Sequence, residues 1–508
     1  MTSVGTVQSS IGSLSISQMI GSLLLVIRLK AVWTVVYNLF FHPLKNFPGP
    51  TLAAATYLYE YWFEIFRGGT YLFEVERLHE IYGPIIRFNP DEIHIKDSHY
   101  YDEICSSGTQ RRDKSHAFIS SIASPGATLA TIEHDHHRMR HAMVSKFFSK
   151  QSFQALEPRI LEHIELLMDK FEDSRKSETI LNLHTEFAAL TADIIAIYIF
   201  GMSFRDLAGA ANVEDSRKAF RGLARYFHYF RFYPGLNYIV EAVPLWLKSK
   251  VFPEVRALLG EREAIRQECV KSLSTQSVEG QSFFNSLTGP SVSAAEKTIP
   301  RLADEGWIML RHSSKDSAVG LFHLLSNETM WRTLRKEIRD AVPLADGPVN
   351  WSQVENLPYL SGVVNEALRL SFGVVSRSPR VPPYEPMVYK GFIIPPGTPI
   401  SQSNYFVLRD PKIFHDPFEF RPERWFEPEV QENCLQHFFV VFSKGTRQCL
   451  GISLARCEIV VTLANIVRRF DLKLANPEEN VEFRRDYIVA YPEKGDPKTL
   501  VQVLSASD

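Results

Sequence analysis

Cysteine is scarce in this sequence. Five residues, at positions 105, 269, 434, 449 and 457 of 508, are too few and too scattered for a disulfide framework, which points to a reducing, cytosol-facing compartment. Charge of either sign is also lacking in excess: the formal net charge is -2, which gives no electrostatic case for nucleic acid. No Gly/Ser-rich linker, internal repeat or low-complexity tract interrupts the chain beyond its N-terminal region. One large domain is therefore expected, although the length alone would permit two or three. Basic residues are missing ahead of the N-terminal apolar stretch and follow it instead, which argues against a secretory signal peptide.

What is present is a large apolar fraction, 45% of residues, and a distinctive start. Ile11 to Ile27 is an uncharged run of 17 residues, at the short end of what spans a bilayer. Arg28 and Lys30 follow, so the positive-inside tendency puts the N-terminus in the lumen and the rest of the chain in the cytosol. The alternative is a peripheral amphipathic anchor. A second apolar stretch, Ala31 to Phe41, carries aromatics suited to the interface, and HPLKNFPGP then punctuates the chain with prolines as a stiff hinge. The boundaries expected are an anchor over 1–42 and a catalytic domain over 43–508.

Helical periodicity dominates beyond the hinge, as in Leu156 to Asp173 and Val363 to Ser371. Strand signals are short: Pro84 to Phe88 with Glu92 to Ile95, and Met387 to Lys390 with Phe392 to Ile394. The fold class expected is mainly α with small peripheral β-sheets.

The most informative run is Phe442-Ser443-Lys444-Gly445-Thr446-Arg447-Gln448-Cys449-Leu450-Gly451. A thiolate that ligates iron needs a loop curled under its sulfur, glycine where the chain turns, and a cation for an anionic cofactor edge. An isolated intracellular cysteine is more often an inert buried one. Here Phe442, Gly445, Arg447, Cys449 and Gly451 together resemble the haem-binding signature of the cytochrome P-450 superfamily, and the resemblance extends over roughly residues 43 to 500. It implies haem b with Cys449 as the proximal iron ligand, Phe442 packed near the sulfur and Arg447 on a propionate. Gly445 and Gly451 would let the loop turn and the next helix approach the porphyrin.

Other segments fit the same resemblance. Glu366 and Arg369 share one helix face, and with Arg424 of FEFRPERW they resemble the family's buried structural triad. Further propionate partners are sought in HHRMRHAMVSKFFS, where His137 fills the first of two slots and His141 the second, with Arg140 one residue early, and at Arg380 in SRSPRV. Substrate contacts are expected from Tyr101 to Ala130, from the aromatic run ARYFHYFRFYPGLNYI and from Val374-Val375.

The central helix departs from the family. It opens with LADE at Leu302 to Glu305 and closes with FHLLSN at Phe322 to Asn327. The stretch between is roughly four residues short, enough to shorten a helix by about 6 Å while rotating its far end by only about 40°. One alignment places His312-Ser313 in the small-residue notch and Lys315-Asp316 at the acid-alcohol pair, which abolishes the proton relay. The other places Ser313-Ser314 in the notch with Asp316 and Ser317 as acid and alcohol, and is preferred because it keeps the chemistry. His312 as a sixth iron ligand and an error in the gene prediction are the remaining readings.

The resemblance implies a microsomal monooxygenase of the type filamentous fungi use on terpenoid, polyketide or alkaloid secondary metabolites. Its substrate would be an apolar small molecule, its co-substrate O2, and its electrons would come from NADPH through a membrane-bound cytochrome reductase. The endoplasmic reticulum membrane, crossed once, is the location expected. The alternatives are a haem-thiolate isomerase or dehydratase that does not activate O2, and an inert haem-binding paralogue.

Overall fold

A computed structural model describes residues 15–506 except 107, 109, 123, 202, 204–221, 245, 248–249, 251–252, 275–282, 291, 311–314, 345–346, 428–433, 479–481 and 494–497. Eleven helices are used below: α1 Ile16–Val36, α2 Tyr71–Tyr82, α3 His134–Ser145, α4 Lys150–Ser177, α5 Leu183–Phe200, α6 Pro253–Ser274, α7 Ile299–Met309, α8 Lys315–Leu325, α9 Glu328–Ala341, α10 Pro358–Ser371 and α11 Ile452–Arg469.

The helix α1 begins with a capping box, in which Ser15 and Gln18 satisfy each other's free backbone N–H groups. None of its residues is buried. The apolar helix does not stop at Ile27, as the sequence suggested, but continues through a π-turn to Phe41, so Arg28 and Lys30 lie within it. The proline-rich segment that follows is docked on the body of the protein. Asn38 donates to the Ala55 carbonyl (3.0 Å), Arg87 donates to the Asn38 carbonyl (2.9 Å), and the Arg87 N–H donates to the Pro48 carbonyl.

The two helices read from periodicity lie inside longer elements. Ser149 caps α4 by accepting from the Ser152 N–H (3.3 Å), and the helix ends where Glu178 turns left-handed, φ 54°. Proline in its first turn opens α10, which is buried along most of its length. The helices α4, α5, α8, α10 and α11 pack on one another as the interior of the domain. The helix α5 is apolar enough to cross a membrane, yet it packs against α4 and α8, which explains its composition by burial.

Both expected hairpins form. Strands β1 (Ile85–Arg87) and β2 (Ile93–Ile95) pair antiparallel, as do β6 (Met387–Tyr389) and β7 (Phe392–Ile394). The β1–β2 pair extends into a five-stranded sheet, β1-β2-β8-β5-β3, through β8 (Ile400–Ser401), β5 (Arg380–Val381) and β3 (Asp113–Lys114). Register in its last pair sets Lys114 opposite Arg380. The strands β4 (Ile180–Asn182), β9 (Phe470–Leu474) and β12 (Leu500–Ala506) make a second sheet, and β10 (Arg485–Tyr487) with β11 (Val489–Tyr491) a separate hairpin.

In the central-helix region α7 ends at Met309 and α8 begins at Lys315. His312 and the Ser313-Ser314 notch lie outside the described residues.

Candidate active site

The Cys449 loop is tight for local reasons. Its backbone N–H donates to the Phe442 carbonyl (2.9 Å), and the Gln448 N–H to Gly445 (3.1 Å). Ser443 and Gly445 both turn left-handed, φ 58° and 70°. A side chain at Gly445 would collide with the carbonyl oxygens of Cys105 and Ser106, so this position requires glycine on two counts. Gly451, by contrast, has an ordinary φ of -82° at the start of α11, and the left-handed turns of the loop are made by Ser443 and Gly445. Its contribution is an N–H directed at the Cys449 sulfur, which favours thiolate against the packing that pushes the thiol pKa up. The cysteine itself is open to an approaching ligand, and Phe442 packs partly buried against the core.

Arg447 runs from this loop to the segment before α3, donating to the carbonyls of Thr131 (2.8 Å) and Ile132 (2.7 Å). Its Nε is buried without a partner, as are Arg380 Nε and His137 Nδ1. Burial, and next Arg380, bring the Arg447 pKa down to about 9. Burial, then Arg447 and Arg380, hold Lys114 well below its usual range. Burial, then Arg447 and Lys114, depress His137, and His141 follows from burial and Arg447. Asp113 and Glu305 are the carboxylates that counter these charges. A site with buried cations, orphaned donors and few carboxylates fits the two propionates of a haem, with the thiol of Cys449 on the same loop as Arg447.

Lys114 was missed in the sequence. Its signal is not local: it depends on a strand pairing with Arg380 across the chain. Arg140, also expected as a propionate partner, is engaged by its own neighbours. It donates to Glu296 (2.8 Å), to Thr131 (2.8 Å) and to the Gly126 carbonyl, and Glu296 also receives His136 and Arg301. In α3, positions 137, 140 and 141 are neighbours on one side of the helix, and what sets Arg140 apart is its engagement by Glu296, Thr131 and Gly126.

The expected triad is assembled. Glu366, Arg369 and Arg424 are each 0% exposed. Arg369 donates to Glu366 (2.7 Å), and Arg424 pairs with the other carboxylate oxygen. Burial raises the Glu366 carboxyl and the two guanidiniums oppose it. Remaining donors clamp the chain ahead of the cysteine loop: Arg369 reaches the carbonyls of Leu408 (3.1 Å), Pro417 (2.6 Å) and Glu419 (2.9 Å), and Arg424 that of His415 (2.6 Å). Gly362 lets α10 sit against Pro422, whose carbonyl any side chain there would strike.

The segments expected above the haem converge. Phe118 packs edge-on against Phe227 (5.5 Å), His228 bonds the Asp486 carbonyl (2.6 Å), and Ser376, next to Val374-Val375, donates to the Asp486 carboxylate. The acids of LADE hold the 126–128 loop: Asp304 accepts from the Gly126 N–H (2.9 Å) and Glu305 from the Thr128 hydroxyl (2.7 Å). Asp316 accepts from the Ser371 hydroxyl on α10, and Ser317 is buried beside it.

Comparison with known proteins agrees with this geometry. A sequence profile described as Cytochrome P450 matches residues 50–497. Cytochrome P450 monooxygenase TRI4 of Trichoderma arundinaceum is 39% identical over 473 residues, 91% of each chain. Cytochrome P450 monooxygenase aflU of Aspergillus parasiticus is 38% identical over 480 residues, 93% of this chain and 96% of its own. Conidiogenone synthase PchP450 of Penicillium rubens is 36% identical over 467 residues, 91% and 94%. With its cysteine loop, buried triad and near-complete coverage by such relatives, this chain belongs to the cytochrome P450 family.

Proposed function

We propose that this chain is a membrane-anchored monooxygenase that inserts one oxygen atom of O2 into an apolar small molecule of a fungal secondary-metabolite pathway, of terpenoid, polyketide or alkaloid type. The observation that carries the reading is the accessible Cys449, in a loop whose Gly451 N–H favours its thiolate, beside buried cations that suit propionates. Haem b bound through that thiolate supplies the activation of dioxygen.

Every other part falls to the chain itself. Arg447, Arg380, Lys114 and His137 orient the cofactor edge. Phe118 and Phe227 present an apolar cover that excludes water. Asp316, with Ser317, holds the proton delivered toward the distal side, its carboxylate positioned by Ser371. Residues 1–42 anchor the protein in the endoplasmic reticulum membrane by one pass, with 43–508 facing the cytosol and receiving electrons from an NADPH-dependent flavoprotein reductase. Arg28 and Lys30, within the helix, extend their charges to the cytosolic interface.

The test is the absorption spectrum of the dithionite-reduced protein with carbon monoxide. A strongly red-shifted Soret band supports thiolate ligation by Cys449, and bound haem without that band overturns it. Product formation dependent on both NADPH and O2 separates oxygenation from isomerisation. Unchanged product formation in Asp316→Ala with Ser317→Ala would remove those two residues from the relay.

A further inference from the structure

Gln402 follows β8 and is 5% exposed, and among the described residues both ends of its amide, Nε2 and Oε1, lack a hydrogen-bond partner. Burying an amide with neither end engaged is unfavourable, and a ligand that engages it relieves that cost. The sheet says which way the side chain faces. Register places Ile93, Ile400, Arg380 and Lys114 opposite one another across four strands, so they share one face. Ser401 is in register with His94 on the opposite face. The chain is still extended at Ser403, φ -80° and ψ 135°, whose hydroxyl donates to the Val375 carbonyl (2.9 Å). Alternation therefore returns Gln402 to the face of Arg380 and Lys114.

Gln402 and Arg380 are diagonal neighbours on adjacent strands, a separation that two long side chains span. Just beyond Gln402 the chain meets the cysteine loop: Tyr101 donates to Asn404 Oδ1 (2.7 Å) and its hydroxyl lies 3.4 Å from that of Ser443. The charge already present decides what Gln402 adds. Arg447, Arg380 and Lys114 would meet two propionates, so a fourth cation would be in excess, whereas a neutral amide adds a hydrogen bond without adding charge. Its Nε2 suits a carboxylate oxygen, and its Oε1 suits a water that such a carboxylate orders beside it. The apolar segments expected to hold substrate converge elsewhere, at Phe118 and Phe227.

We propose that Gln402 is a further cofactor-binding residue, its Nε2 donating to a haem propionate on the side held by Arg380. It fixes that carboxylate against the sheet, so the cofactor edge is gripped by strands as well as by the cysteine loop. The inference rests on the haem reading above, and its test separates the two.

Gln402→Met keeps the length of the side chain and removes the amide. The apoprotein of this variant is expected to melt no lower than the parent, because the unpaired amide is gone. Transfer of its haem to apomyoglobin should be about tenfold faster than from the parent, and the propionate bending band of its resonance Raman spectrum should shift. With haem whose propionates are methyl esters, parent and variant should lose the cofactor at the same rate. Gln402→Glu sets a negative charge against the propionates; it should melt higher as apoprotein and lose haem faster than Gln402→Met, and it serves as the second variant if Gln402→Met does not fold. An unchanged transfer rate and Raman band in a folded variant overturns the proposal. Equal acceleration with the esterified haem overturns it in favour of packing or a buried water. A parent without the red-shifted carbon monoxide band removes the haem-thiolate reading and this proposal with it, whereas a parent that shows the band beside a silent Gln402→Met removes the role of Gln402 alone.

Discussion

Two buried charge clusters flank the cysteine loop, and they differ in one respect that separates structure from function. At Glu366, Arg369 and Arg424 opposite charges meet: the carboxylate is hydrogen-bonded by one guanidinium and ion-paired with the other, and backbone carbonyls take further N–H groups of both arginines. At Arg447, Arg380 and Lys114 the cations face one another beside the neutral ring of His137, and one buried nitrogen each of Arg447, Arg380 and His137 has no hydrogen-bond partner. Desolvating like charges together is unfavourable unless something negative joins them. The first cluster holds the fold, and the second is built for a ligand.

Breaking the closed cluster should have the largest effect. Glu366→Gln leaves two buried guanidiniums unpaired, and a loss of roughly 3–5 kcal/mol is expected. That is a large part of a domain's stability. The expected outcome is little soluble protein and no carbon monoxide band, measured by yield and spectrum; a variant that unfolds in urea at the parent's midpoint would refute the structural assignment.

The open cluster should respond with opposite signs in its two states. Arg380→Met removes one of several crowded cations, so the apoprotein is expected to melt no lower than the parent and the haem to bind more weakly. A charged hydrogen bond contributes about 1.5–3 kcal/mol, which corresponds to roughly a tenfold to hundredfold loss in haem affinity. Thermal melting of the apoprotein and haem titration measure the two halves. A fall in apoprotein melting without a change in haem affinity would place Arg380 with the structural cluster.

A pH series extends the comparison to the remaining buried groups. Burial holds His79, His228 and His323 at about 4, below their ordinary 6.5. A depressed folded pKa gives stability that is complete above 6.5 and lost as pH falls toward 4. Burial raises Glu64 and Glu458 from 4.5 to about 7, which has the opposite sign, adding stability as pH falls from 7 to 4.5. The two carboxyls offset only part of what the histidines lose over that window, since His94 is also held well below its ordinary value by burial. Below it, the histidines continue to lose, and Glu60 and Glu296, held at about 2, begin to protonate more readily in the unfolded chain. Urea midpoints should therefore decline as pH falls from 6.5 to 4.5 and more steeply below.

How far the sequence could be read follows from the range over which each feature is encoded. The cysteine loop and the Glu366–Arg369 pair are local, so their chemistry is visible in ten residues or in one helical turn. The helices and hairpins were legible because burial imposes its period on them directly. Lys114 was not, because it acquires its role from a strand register with Arg380 that no neighbouring residue announces. Likewise the Glu60 cluster, which receives Arg231 and Arg377 from distant segments, had no sequence signature. The central helix was expected to be shortened with its faces kept; α7 ends at Met309 and α8 begins at Lys315, and positions 311–314 between them lie outside the described residues. A deficit there displaces the helix ends, and α8 retains its packing on α10 through Gly320, whose Cα side lies against Ala367.

Arg140 gives the smallest and most discriminating effect. Its guanidinium is engaged by Glu296, Thr131 and Gly126, and Glu296 keeps His136 and Arg301 when Arg140 is removed. Arg140→Ala is accordingly expected to lower stability by only about 1–2 kcal/mol. Haem affinity should change by less than about twofold, since its guanidinium is already taken by Glu296, Thr131 and Gly126. His137→Ala, three residues earlier on the same side of the helix, should instead weaken haem binding with little change in apoprotein melting, because its ring is a buried neutral group crowded by Arg447 and Lys114. Haem titrations of the two variants side by side decide which residues of α3 meet the cofactor; equal losses in both would mean that Arg140 leaves Glu296 when haem binds.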